Sequence, residues 1–256
     1  FKIRGIAATS NSLKLKLFAK QSCLRADKVI AVSKATQKDV IDIFKISEKK
    51  VVVSYNGGLP TEFTKDYCEK KVNKLEKDKF FLFVSTIEPR KNLITLIKAF
   101  EKYLNNTSSN FKLALVGKKG WKCKNIFSAI ENSPYREQIV LPGYVSDEEK
   151  AWLYQNAAGF IFPSLYEGFG IPILEAMAYG LITITARNSS LYEVGGDAAL
   201  YMQNEKDVDE LSRLMEKVAL MKNEEKVAYR EKMERQIKKF SWDKNADEIM
   251  KLIAQN

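Results

Sequence analysis

Histidine is absent from the 256 residues. Its absence removes Ser-His and Cys-His nucleophilic catalysis and the commonest transition-metal ligand, so any chemistry falls to carboxylates, cations and backbone groups. Cysteine is scarce. Cys23, Cys68 and Cys123 are odd in number, widely spaced and without a CxxC pair, which fits a reducing cytoplasm better than a disulfide framework. Long apolar runs are also missing: stretches such as "AAGFIF" at 157–162 fall far short of the roughly 18–20 residues that span a bilayer, so no transmembrane helix is expected. There is no internal repeat and no low-complexity tract. The chain opens at Phe1 without methionine or a signal-peptide pattern, which predicts a fragment or a processed chain.

What is present is ordinary globular material, 45% hydrophobic and 29% charged, enough for one large or two modest cores. A net charge of +10 fits an anionic partner (a nucleotide diphosphate, a phospholipid surface or nucleic acid) or plain solubility. Much of the lysine lies in polar, helical-looking stretches interleaved with glutamate, "KDYCEKKVNKLEKDK" (65–79) and "EKMERQIKKF" (231–240), which read as solvated faces. With no basic motif interleaved with aromatics, nucleic acid is not expected as a partner.

Short, continuous apolar runs alternate with amphipathic segments. The runs are "KVIAVS" (28–33), "KVVVSY" (50–55), "FFLFVS" (80–85), "KLALVG" (112–117), "QIVLPG" (138–143), "GFIFPS" (159–164) and "LITITA" (181–186), the pattern of strands buried on both faces of a parallel sheet. After Asn92, a predicted helix cap, Leu93, Leu96, Ile97, Phe100 and Leu104 fall on one helical stripe. "SDEE" at 146–149 predicts a capping box between Ser146 and Glu149. The fold class is therefore α/β with a doubly wound, Rossmann-like parallel sheet, its ligand at the carboxyl ends of the strands. The turn "YNGGLP", with Asn56, Gly57, Gly58 and Pro60, predicts a boundary near residue 60. "FSWDKNADEIMKLI" predicts a terminal helix over 241–256, with Ser241 capping it and Trp242 partly buried. Trp121 and Trp152 read as packing residues.

"LYEGFGIPILEAMAYG" (165–180) places Glu167 and Glu175 eight positions apart around Gly168, Phe169, Gly170 and Pro172. Three readings compete: a hydrolytic acid/base pair, two acceptors for a hydroxyl-bearing ligand, or a solvated helix start. The strand ends at Ser164, so Glu167 falls in the ligand-side loop and Glu175 in the following helix. Glycosidase carboxyl pairs stand about 5–5.5 Å or about 6.5–9.5 Å apart. Eight positions of ideal helix span roughly 12 Å, which suits two ends of an extended ligand better. The two glycines permit close backbone approach, and a helix N-terminus favours an anion such as a phosphate.

"EGFGIPILEAMAYG" resembles the E-x7-E signature of retaining glycosyltransferases of GT-B fold, in particular glycosyltransferase family 4. "VSTIEPRKNLITLIKAF" (84–100), "LPGYVSDEEKAWLYQNAAGFIFPSLYEGFG" (141–170) and "SSLYEVGGDAAL" (189–200) resemble successive blocks of that family, and "ADKVIAVSKATQKDVI" (26–41) resembles the end of its first domain. The resemblance implies a C-terminal donor-binding half over 61–256 and a remnant of the acceptor-side domain over 1–60. It also implies transfer of a hexosyl unit, with a mannosyl or rhamnosyl flavour in "STIEPRKN", from a nucleotide-diphosphate sugar to a glycan or lipid-linked acceptor in polysaccharide biosynthesis. No metal is required, and the location is cytoplasmic with peripheral association at the inner membrane face. By the same resemblance Glu167 orients the donor sugar and Glu175 binds ribose. Lys91 and Arg90 neutralise the diphosphate, the backbone of Gly168, Phe169 and Gly170 meets the phosphates, and Tyr144 and Val145 lie near the base. The family's Gly-Arg before the lysine is here Ser85-Thr86, which makes Arg90 the candidate replacement and a surface ion pair with Glu88 its alternative. A second reading is a donor-binding module that acts only with a partner chain carrying the acceptor domain. A third, a basic membrane- or nucleic-acid-binding α/β protein, rests on charge alone.

Overall fold

The computed structural model describes residues 9–58 and 70–254. Its main body is a six-stranded parallel sheet in the order β5-β4-β3-β6-β7-β8, formed by β3 (Phe80–Val84), β4 (Lys112–Val116), β5 (Ile139–Gly143), β6 (Gly159–Phe162), β7 (Thr183–Ala186) and β8 (Ala199–Met202). Between the strands run α3 (Leu93–Thr107), α4 (Lys124–Glu131), α5 (Asp147–Asn156), α6 (Ile171–Ala178) and the short α7 (Leu191–Gly195). Helices α8 (Val208–Ala219) and α9 (Asn223–Ile237) follow β8. The strands run where the continuous apolar segments predict them. Phe80 to Phe83 are fully buried, and Phe83 stacks on Phe162 across the β3–β6 pair with ring centroids 6.0 Å apart. Two βα units separate β3 from its neighbour β6, so the strand order turns back between them and leaves a crevice at their carboxyl ends.

A second, two-stranded parallel sheet pairs β1 (Val29–Ala31) with β2 (Val51–Val53), preceded by α1 (Thr9–Arg25) and bridged by α2 (Lys34–Phe44). Ala31, Phe44, Ile46 and Val51 form a small core of their own. The last helix, α10 (Trp242–Ala254), returns to this sheet. Ser54 Oγ donates to Glu248 at 2.8 Å and accepts from Asn245 Nδ2 at 2.9 Å. Ser241 Oγ accepts from Lys244 N at 3.4 Å, as its predicted capping role requires, and half-exposed Trp242 lies against Gly57, where an added Cβ would come within 2.4 Å of its backbone nitrogen. The boundary expected at 60, Pro60 and Cys68 lie outside the described residues.

Two expectations are corrected and one strand is added. Residues 70–79 of the lysine-rich stretch are turns rather than helix: Lys74 and Asp78 take left-handed φ values of 69° and 57°, while Val72 and Leu75 fold down onto the core. Asn92 stands at the start of α3 but does not cap it through its side chain. Its own φ is 59°, its amide donates to the carbonyls of Pro163 and Glu205, and Thr95 Oγ1 donates to its Oδ1 at 2.8 Å. Strand β8 was not expected, because "ALYM" is short and pairs only with β7 at the sheet edge. The capping box is present as read, with Ser146 N donating to Glu149 Oε2 at 2.9 Å and Glu149 N to Ser146 Oγ at 3.3 Å.

Candidate active site

At the crevice, two ligand-side segments lace together. A single 3-10 turn, Pro89–Lys91, follows β3, and the loop after β6 carries residues 165–170. Leu165 N donates to the Arg90 carbonyl at 2.9 Å, Arg90 Nη1 donates to the Tyr166 carbonyl at 2.8 Å, and Asn92 reaches Pro163 at 3.1 Å. This stitching brings two cations onto one carboxylate. Lys91 Nζ lies 2.7 Å from Glu167 Oε1, and Arg90 Nη1 lies 2.5 Å from Glu167 Oε2. Both Glu167 and Lys91 are buried, at 9% and 5% exposure, so this is a shielded cluster rather than a solvated helix start. Lys91 also sits 4.7 Å from the Phe162 ring centroid, a cation–π contact from the strand below.

Burial holds the Lys91 ammonium below its usual pKa, with the Glu167 carboxylate pulling the other way. Burial also opposes the charge of Arg90, but Glu167 and then Glu88 outweigh it and keep the guanidinium above its usual value. The ion pair with Glu88 anticipated as an alternative exists, at 2.7 Å, but it is not a surface pair. Glu88 is 8% exposed and accepts from Trp121 Nε1 at 2.9 Å, so Arg90 serves both carboxylates. Trp121 is accordingly a partly exposed hydrogen-bond donor, not a packing residue, whereas Trp152 is buried and stacks on Phe80.

Glu175 stands in separate surroundings. Tyr154 donates to it at 2.9 Å and Lys150 Nζ lies 3.4 Å away, both from the next helix in space, α5. Burial pushes the Tyr154 phenol well up, helped by the charge of Glu175, so it is a donor at any ordinary pH. Burial also works against the Lys150 charge, but Glu175 and Asp147 hold it above its usual value. The two motif glutamates therefore have different partners, which argues against a hydrolytic pair sharing one proton.

Between them lies the glycine loop. Gly170, at φ 130°, opens α6, in whose first turn Pro172 carries no N–H and Ile173 N donates to the Gly170 carbonyl at 2.9 Å. Phe169 is anchored inward, its ring 6.3 Å from Tyr55 and 5.7 Å from Phe240, which leaves only its backbone for a ligand. Tyr144, beyond the end of β5, is 76% exposed with Lys118 Nζ 4.5 Å from its ring centroid, while Val145 is half-buried against the core. The structure thus joins Glu167, Arg90 and Lys91 in one cluster and places Glu175 and Tyr144 apart from it.

Several residues that act here went unread in the sequence. Ser189 Oγ accepts from Glu167 N at 3.0 Å, and Ser190 Oγ donates to the carbonyls of Glu167 and Phe169 at 3.0 and 2.6 Å. Lys150 and Tyr154 are spaced i, i+4 on α5, a signal that places both on one helical face. Glu193 reads from sequence as a structural residue capping a short helix, and in the structure its two oxygens accept from Lys34 N and Ala35 N at the start of α2, each at 2.8 Å.

Tyr55 donates to the same Glu193 at 3.2 Å, and burial, then the Glu193 charge, push its phenol from 10.0 up to about 12. A raised folded pKa means stability that is fully present below the unfolded value and lost as pH rises through the folded one. The urea midpoint is therefore expected to fall between pH 10 and about pH 12. It should fall less steeply in Tyr55→Phe; equal slopes in the two proteins would remove Tyr55 from the account.

The structure gathers cations and carboxylates at the switch point of a doubly wound sheet, and the chain belongs to the glycosyl transferases group 1 family, which matches residues 65–254. Among relatives, the O-antigen chain mannosyltransferase B of Escherichia coli is 33% identical over 193 residues, 72% of this chain and 49% of that protein. The serotype-specific mannosyltransferase WbdA of Escherichia coli is 32% identical over 234 residues, 87% of this chain and 28% of that protein. The chain thus spans about half or less of the length of these curated relatives. Among solved structures, Anabaena HepE in complex with UDP and glucose superposes with a TM-score of 0.78 at 17% identity, covering 99% of this chain and 70% of that one. WaaG, a glycosyltransferase involved in lipopolysaccharide biosynthesis, gives 0.71 at 16% identity over 90% and 63%. At such identities the likeness is one of fold, the GT-B type. Among the described residues no helix is long and apolar enough to cross a membrane.

Proposed function

We propose that this chain binds the donor in a retaining transfer of the family 4 type. A nucleotide-diphosphate sugar gives its hexosyl unit, mannosyl by analogy with the relatives, to a glycan or lipid-linked acceptor in polysaccharide biosynthesis. The observation that carries this reading is the convergence of Lys91 and Arg90 on buried Glu167 at the switch point of the sheet. In that role the two cations stabilise charge on the departing diphosphate, and Glu167 accepts from sugar hydroxyls. Glu175, fixed by Tyr154 and Lys150, takes the ribose. The backbone of 168–170 and the first turn of α6 face the phosphates, and Tyr144 and Val145 border the base.

In the reaction the bond between the anomeric carbon and the phosphate oxygen breaks, its electron pair leaving with the diphosphate. The acceptor oxygen bonds to the same face, and its proton passes to a leaving phosphate oxygen. Arg90 and Lys91 supply the positive charge, so the scheme requires neither a metal nor an enzyme nucleophile. The same reading takes 61–256 as the donor domain and 1–60 as part of the acceptor side, with a cytoplasmic location peripheral to the inner membrane face. A second reading is a donor-binding module that works only with a partner chain supplying the acceptor domain; transfer activity by this chain without any partner would separate the first reading from the second.

A thermal-shift titration with GDP, UDP, ADP, dTDP and CDP tests the proposal. At 100 times its dissociation constant a ligand stabilises by about 2.7 kcal/mol, or roughly 5–11 °C for a domain of this size. One diphosphate is expected to give such a shift, and Glu175→Ala to abolish it. No shift with any of the five, or a shift that survives in the variant, would count against the assignment.

A further inference from the structure

Helix α2 lies outside the residues that the family matches, yet it grips the loop that carries Glu167. Ser33 Oγ and Thr36 Oγ1 both donate to the Gly168 carbonyl, at 2.7 and 3.0 Å, across more than a hundred residues of chain. Ser33 is fully buried. One turn further along α2, the Asp39 carboxylate accepts from the Tyr166 hydroxyl. On the other side of the loop, Ser189 and Ser190 hold the amide of Glu167 and the carbonyls of Glu167 and Phe169. Glu193, by accepting from the first amides of α2, ties that helix to the same region after β7.

Residues 165–170 are therefore held between hydroxyls from two distant segments. A loop with glycines at 168 and 170 has weak conformational preferences of its own, so its course is set by what grips it. Two donors on the Gly168 carbonyl fix the Gly168–Phe169 peptide plane, one residue beyond the Cα from which the Glu167 side chain departs, and so limit how far that stretch of loop can shift.

We infer that Thr36, with Ser33 and Asp39, is a positioning residue: α2 sets where the Glu167 carboxylate stands relative to the donor sugar without itself touching the ligand. This rests on the donor-binding reading of Glu167 given above. If α2 merely supported the fold, its loss would weaken every ligand alike. If it positions Glu167, the loss falls chiefly on the sugar, because Glu175 and the cations hold the nucleotide in the main and the backbone of 168–170 only in part.

The test compares GDP with GDP-mannose by calorimetry, or the corresponding pair for whichever base gives the thermal shift. The proteins are the full chain as wild type, Thr36→Val, Thr36→Ser and Thr36→Val/Tyr166→Phe. A net hydrogen bond corresponds to about fivefold in a binding constant. The sugar nucleotide should bind about fivefold more weakly to Thr36→Val and about twentyfold more weakly to the double variant. The nucleoside diphosphate should stay within about twofold of wild type in both, and Thr36→Ser, which keeps the hydroxyl, should restore the sugar nucleotide. Equal weakening of both ligands, or no change in either, overturns the inference and leaves the donor site standing. A wild type that binds neither ligand overturns the donor reading and the inference with it. The single Thr36→Val comparison decides the matter where the double variant does not fold.

Discussion

Glu167→Ala is expected to destabilise the chain by about 3–5 kcal/mol, the range found when one partner of a buried ion pair is removed. The reason lies with what stays behind. Lys91 is 5% exposed and would keep its ammonium in a site whose other close cation is Arg90, so the variant buries two positive charges with their shared counter-ion gone. Arg90 keeps Glu88 at 2.7 Å and tolerates the loss; Lys91 has no carboxylate as near. Its pKa, already lowered by burial, would drop further. The folded state would then hold fewer protons than the unfolded one below the ordinary lysine pKa, and by linkage stability rises with pH across that window. The deficit should therefore be largest near neutrality and shrink toward pH 10. Urea unfolding at pH 7 and pH 9.5 measures both features. The double variant Glu167→Gln/Lys91→Met should recover most of the loss, because an uncharged pair of similar volume has no desolvated charge to compensate. A single variant within about 1 kcal/mol of wild type would mean that the cluster opens to water and is not the shielded site described.

Lys91→Met is expected to separate chemistry from folding. Methionine fills the space above Phe162, and Arg90 remains to neutralise Glu167. Stability should thus change by no more than about 1–2 kcal/mol. Under the proposed donor role, turnover of the nucleotide sugar should nevertheless fall by about 10²–10³, the scale seen when one preorganised group facing a developing negative charge is lost. Lys91→Arg should not rescue it, since a planar guanidinium does not fit a buried point-charge site. Undiminished turnover in Lys91→Met would transfer the leaving-group role to Arg90 alone.

The sheet was legible because its strands are buried on both faces and so appear as unbroken apolar runs: "FFLFVS", "KLALVG" and "GFIFPS" all became strands. The helix stripe of α3 and the Ser146–Glu149 box were legible for a related reason, since each depends on residues within one turn or two. Asn92 could not be told from a cap, because asparagine is favoured both as an N-cap and in the left-handed conformation it adopts here. The lysine-rich stretch misled through charge spacing; left-handed Lys74 is not marked by residue type, and Asp78, of a type enriched in that conformation, stands among charges that read as a solvated helix face. In the site, Glu167 and Lys91 were legible by motif, but their pairing spans 76 positions and is fixed by the strand order. The hydroxyls of Ser33, Thr36 and Ser190 gave no signal, as serine and threonine are common in any loop and only the fold determines which carbonyl they meet.

The return of α10 to the two-stranded sheet has a consequence for the order in which the protein is made. The bonds of Ser54 to Glu248 and Asn245 join residues 194 and 191 positions apart. An isolated strand pair is barely stable in water. A ribosome finishes β1 and β2 well before it emits their covering helix α10, so the two-stranded sheet waits for residues far downstream before it is sealed, and the whole of the six-stranded body can form in the meantime.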